Sequence, residues 1–93
     1  MAIVKIKNEN VEFEVPDGDL IIEYLWNNSS FPAGCIDGST TICACVVLQG
    51  IENINPRTHA EIVTFTKANM PNSARNRLAC QIRIFKGTLV IEY

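Results

Sequence analysis

Basic residues are not in excess in this chain: eight Lys and Arg face ten Asp and Glu, for a net charge of −2. A nucleic-acid-binding domain presents a basic face, so nucleic acid is not an expected partner. Long apolar runs are missing as well. None approaches the roughly 20 residues that a membrane-spanning helix needs. Met1-Ala-Ile-Val-Lys5 leads into a strand-like pattern, not into a basic start with an apolar signal core. The expectation is a cytoplasmic protein without membrane association, in a compartment where cysteines are thiols or metal thiolates rather than structural disulfides. Histidine is nearly absent. The single His59 falls just inside a predicted helix start, where it is expected to face solvent. There is no nucleophile–base pair and no Gly-rich phosphate loop, which argues against a catalytic enzyme. Repeats and low-complexity tracts are absent too. At 93 residues, 47% of them apolar, the chain is expected to form one domain, 1–93, with a modest core rather than a disordered coil.

What the chain does have is cysteine, unevenly placed. Three of the four, Cys35, Cys43 and Cys45, lie in the Gly-, Ser- and Thr-containing stretch Ala33–Cys45, and Cys80 lies far downstream. A tight cluster in a polar loop plus one distant cysteine is a metal-site pattern. Plant-type 2Fe–2S sites use C-x4-C-x2-C followed by a remote cysteine. Counted from Cys35, ligand two falls on Thr40, ligand three on Cys43 and the remote ligand on Cys80. The fourth position has three candidates. Thr40 offers a hydroxyl oxygen, a harder and weaker iron ligand than thiolate. Cys45 is the better ligand, but strand rise carries it about 6–7 Å beyond Cys43. Asp37 offers a carboxylate. The competing readings are buried, hydrophobic cysteines around an empty site and zinc, which this spacing serves only by distortion. A Cys43–Cys45 disulfide would be strained on a strand.

The surroundings extend the match. GSTTICACVVLQG, residues 38–50, resembles the cluster loop and following strand of 2Fe–2S ferredoxins, most closely the bacterial and mitochondrial type. Some of those carry a further, non-ligand cysteine where this chain has Cys45. MPNSARNRLACQ, residues 70–81, resembles the family stretch ending in Arg-Leu-(Ala/Ser)-Cys-Gln. The resemblance covers nearly the whole chain. It implies an α+β, β-grasp ferredoxin-like fold, a mixed sheet with a helix packed across it. It implies a 2Fe–2S cluster on Cys35, Cys43 and Cys80, the fourth place contested by Thr40 and Cys45, with Gly38 in the loop near the cluster. The implied activity is one-electron transfer between a reductase and an acceptor protein. The alternative is a ferredoxin-shaped subunit that has lost its cluster and serves protein interaction or regulation. No motif speaks to oligomeric state. A charge of −2 is mild for a family that is often strongly acidic, so steering toward a reductase is expected to be weak. In that family acids near the second helix often meet the reductase, and Glu61 is the acid in that place here.

Local patterns place the elements. Ile3–Lys7 and Val11–Val15 predict two strands joined through Asn8-Glu9-Asn10; the second alternates Val11, Phe13 and Val15 with two glutamates. Pro16-Asp17-Gly18 ends the hairpin. Asp19 is the predicted N-cap of a helix over Leu20–Asn28. Its inner face is Leu20, Ile21, Tyr24 and Leu25, and Ile22 and Trp26 lie on the flank. Trp26 is read as packing at the edge of the core, with a partner surface shared with Ile22 as the alternative. Cys45–Leu48 reads as a buried strand. Thr58-His59-Ala60-Glu61 is a capping box opening a second helix, which Asn69 and Pro71 end. Cys80–Phe85 alternates and is predicted to be a strand. After a turn at Lys86-Gly87, Leu89–Tyr93 closes the sheet. Arg75 and Arg77 are expected at the surface or paired with carboxylates, and Glu52, Glu61 and Glu92 are expected to be solvated.

Overall fold

Strands β1 (Ala2–Ile6) and β2 (Val11–Val15) form the expected antiparallel hairpin, with Val4 opposite Phe13 and Ala2 opposite Val15. Asn10 turns the chain at φ 55°, a left-handed conformation that asparagine tolerates better than most residues. The computed structural model describes residues 1–32 and 38–93. Ala2, Val4 and Ile6 are buried while Lys5 points out, as a period of two requires.

Helix α1 (Ile22–Asn28) starts two residues later than the pattern suggested. Asp19 is not its cap: the N-cap position is Ile21, with no side-chain bond. The reason is tertiary. Gly18 N donates to Ile84 O (2.7 Å), Ile84 N to Asp19 O (3.1 Å) and Ile21 N to Ile82 O (3.1 Å). These bonds tie residues 18–21 to the 82–84 segment, so the helix begins only at Ile22. The Asp19 carboxylate accepts from Tyr24 Oη instead (3.0 Å). Leu20 is 42% exposed, whereas Ile21, Ile22 and Leu25 are buried. Ile22 is therefore core rather than flank. Trp26 is half-buried against the core, its indole donating to Pro32 O (3.1 Å). Ser29 Oγ and Asn28 Nδ2 donate to Leu25 O and Tyr24 O and close the helix end.

Strand β3 (Ala44–Gln49) buries Cys45 and Val47. Gly50 follows at φ 89°; a Cβ there would lie 2.1 Å from Thr88 O, so only glycine fits. A short 3-10 turn (Ile51–Asn53) leads to α2 (His59–Lys67). The capping box is present in both directions, Glu61 N to Thr58 Oγ1 and Thr58 N to Glu61 Oε1. Strand β4 (Asn76–Leu78) follows, and β5 (Thr88–Glu92) buries Leu89 and Ile91. Between them Cys80–Phe85 is not the predicted strand. Cys80 sits in a 3-10 turn (Ala79–Gln81), and Arg83 and Ile84 make one bridge each, to Leu20 and to Ile54. The alternation is real, since Ile82 and Ile84 are fully buried. The segment simply has a different neighbour on each side and no ladder to extend.

The sheet order is β2-β1-β5-β3-β4. β1 and β5 are parallel; the other pairs are antiparallel. This mixed sheet, with α1 packed on it against β2, is the α+β, β-grasp arrangement that was expected. Among the described residues, no helix is long and apolar enough to cross a membrane.

Candidate metal centre

The turn that opens β3 and the turn that closes β4 are brought together by the pairing of those two strands. Ala44 lies opposite Leu78, and one step further Ala79 N donates to Cys43 O (2.8 Å). That bond fixes the backbone of Cys43 against the turn that carries Cys80. The two sulfurs, 37 positions apart in the chain, lie 3.3 Å from one another, and both are buried. A disulfide needs about 2.05 Å, so this is a pair of thiols. Two thiolates on one tetrahedral metal, with bonds of about 2.3 Å, lie about 3.7 Å apart. The pair therefore matches the bite of a tetrahedral metal within a few tenths of an ångström, and its soft donors suit iron–sulfur chemistry. Among the described residues, no group of three or more His, Cys, Asp or Glu side chains is placed to hold a metal ion. Cys35 and Asp37 lie outside the described residues.

Gly38 enters the site at φ 78° and is buried. Its carbonyl accepts from Thr64 Oγ1, which ties the loop to α2. Thr40 is exposed, in a groove between the loop and α2 lined by Ser39, Thr41, Thr64, Lys67 and Ala68. Cys45 points inward with Cys43 but sits within the β3 ladder, opposite Arg77. Burial pushes its thiol up to about 12, and the Arg77 charge offsets only part of this. Cys80 borders an open cleft of about 350 Å³ walled by Asp19, Leu20, Ile22, Glu23, Tyr24 and Arg83.

Glu61 is the largest departure from expectation. It is not solvated but 0% exposed, and Arg77 beside it is 1% exposed. Arg77 Nε donates to Glu61 Oε2 (2.6 Å) and Nη2 to Oε1 (2.9 Å), while Leu78 N adds a third bond to Oε2 (2.9 Å). One carboxylate thus caps α2 and anchors β4, the strand that leads into the turn carrying Cys80. The capping-box motif carried the only local sign of this, because it directs the Glu61 carboxylate back to the Thr58 amide rather than out to solvent. His59 is exposed, as expected.

Residues 4–85 match the family model of the 2Fe-2S iron-sulfur cluster binding domain. The chain is 31% identical over 94 residues to the 2Fe-2S ferredoxin-5 of Aquifex aeolicus (strain VF5), covering 98% of this chain and 97% of that protein. Among solved structures it resembles the ISC-like 2Fe-2S ferredoxin of Pseudomonas putida JCM 20004, with a TM-score of 0.79 at 22% identity over 100% of this chain and 92% of that one. It also resembles Pectocin M2, with a TM-score of 0.63 at 18% identity; 98% of this chain is covered but only 32% of that one. At these identities the two structures speak to the fold alone.

Proposed function

This chain belongs to the family of 2Fe-2S iron-sulfur cluster binding domains, and from that premise we propose that it is a small soluble one-electron carrier with Cys35, Cys43 and Cys80 as thiolate ligands and Thr40 in the fourth place. A 2Fe–2S cluster is the cofactor. When bound, it supplies one-electron exchange with the charge spread over iron and sulfur. The observation that carries the reading is the 3.3 Å approach of Cys43 and Cys80, two buried thiols from distant parts of the chain.

The preference for Thr40 over Cys45 rests on the position of each residue in the chain. Thr40 is on the loop at the second template position. Cys45 lies inside the β3–β4 ladder, and reaching the loop would cost the pairing with Arg77. The partners are a reductase and an acceptor protein, and the compartment is the cytoplasm. Because Glu61 is turned inward, the exposed residues of α2 are His59, Ile62, Thr66 and Lys67, and no acid on that helix steers a reductase.

The test is purification without oxygen, followed by visible absorption and by iron and sulfide counts. The expected protein is coloured, with iron and sulfide in equal amounts. Thr40→Cys restores four thiolates and is expected to hold the cluster longer in air. A colourless protein that stays iron-free after reconstitution overturns the carrier reading and leaves a subunit with a ferredoxin shape and no cofactor.

A further inference from the structure

Gln81 follows Cys80 at the end of the 3-10 turn, and its side chain turns back over the sulfur. Its Nε2 lies 3.6 Å from Cys80 Sγ, within hydrogen-bonding range for sulfur. We infer that Gln81 is a positioning residue for the redox centre, holding an amide N–H on the Cys80 sulfur and thereby raising the reduction potential. The inference rests on the electron-carrier reading above.

Oxygen and nitrogen of an amide have nearly the same shape, so the orientation must come from the neighbours. Thr58 supplies it. Its hydroxyl oxygen already accepts from Glu61 N, so its proton points away from the helix, toward Gln81 Oε1 at 3.2 Å. A hydroxyl proton pairs with the amide oxygen, which leaves the NH2 group on the sulfur side. The cap of α2 thus dictates which end of Gln81 meets Cys80. The main chain of Gln81 is held as well, its carbonyl accepting from Asn55 Nδ2 (2.9 Å).

Gly38 closes the arrangement. A Cβ at that position would lie 3.2 Å from both Cδ and Nε2 of Gln81 and 3.1 Å from Ala60 Cβ. The loop backbone therefore lies close against the Gln81 amide, where the partly buried surroundings strengthen the N–H···S contact. A donor at a ligand sulfur favours the more negative state of the centre, which is the reduced one.

The test compares Gln81→Met, Gln81→Glu, Thr58→Val and Thr58→Ser with the parent, each loaded without oxygen. Iron and sulfide are counted first, and potentials are then read by redox titration of the visible absorption. Met and Glu keep the length of the side chain but remove the donor. Both are expected to shift the oxidised-to-reduced ratio toward the oxidised form by several-fold, up to about tenfold, which for one electron is about 59 mV. Thr58→Val moves the same way because the amide loses its orienting partner, and Thr58→Ser stays with the parent. Loaded Gln81→Met and Gln81→Glu proteins that titrate with the parent overturn the inference and leave the carrier reading intact. A parent that takes up no iron overturns the carrier reading itself and the inference with it.

Discussion

Replacing Arg77 by methionine is the sharpest test of how this fold holds its thiol pair. The substitution keeps most of the side-chain length and removes the guanidinium from a site where Glu61 is fully buried. Glu61 then retains the Thr58 and Leu78 amides, both at 2.9 Å, but loses two charge-assisted bonds and its only ion-pair partner among the described residues. Asn55 O loses a 2.8 Å donor as well. Breaking a buried pair from one side costs about 3–5 kcal/mol. The two remaining amides place this case near the lower end, about 3 kcal/mol. For a chain of this size 1 kcal/mol corresponds to about 4–8 °C, so Tm is expected to fall by about 12–24 °C. The melts belong on cluster-free protein, because a bound cofactor adds its own stabilisation.

The same variant carries a pH signature. Burial pushes the Glu61 carboxyl up, but the bonds from Arg77, Thr58 and Leu78 outweigh it and hold the group below its ordinary value. A carboxyl depressed on folding contributes stability that is complete above its unfolded pKa, about 4.3. That stability is lost as the pH falls through the lower folded value. In Arg77→Met the burial stays and the strongest opposing bond is gone, so the acid limb of the Tm–pH curve moves to higher pH. A Tm loss under about 4 °C at neutral pH, below about 1 kcal/mol, or an acid limb that does not move, refutes the argument.

Other outcomes follow from the same geometry. Cys45→Ala is expected to leave iron and sulfide content at the parent level, because Cys45 sits in the β3–β4 ladder opposite Arg77; a loss of iron makes Cys45 a ligand. In cluster-free protein the Cys45 thiol, raised to about 12 by burial, is expected to resist iodoacetamide near pH 8 until denaturant is added, and mass spectrometry of the alkylated peptide reads this directly. Gly50→Ala forces a side chain into φ 89° and against Thr88 O. It is expected to cost more than about 1 kcal/mol in a urea melt, with no change in cluster spectrum.

Wherever a structural instruction is local, it could be read from the chain alone. The β1–β2 hairpin follows from alternation and a turn of small polar residues, and α2 follows from a capping box whose two bonds span three positions. The cysteine spacing and the Arg-Leu-Ala-Cys-Gln stretch identified the family for the same reason, since a loop wrapped around a metal repeats its spacing wherever it occurs. Other features depend on who the neighbour is. Asp19 looked like a cap, but Ile84 N donates to its carbonyl and Ile21 N donates to Ile82 O, which ties this segment to a distant part of the chain before the helix can begin. Cys80 looked like the start of a strand, but β4 ends just before it and the chain turns. Glu61 looked like one more surface acid, yet packing set a buried arginine beside it. Burial and partnership depend on contacts 16 or more residues apart, well beyond the three- and four-residue spacings that a local motif reads.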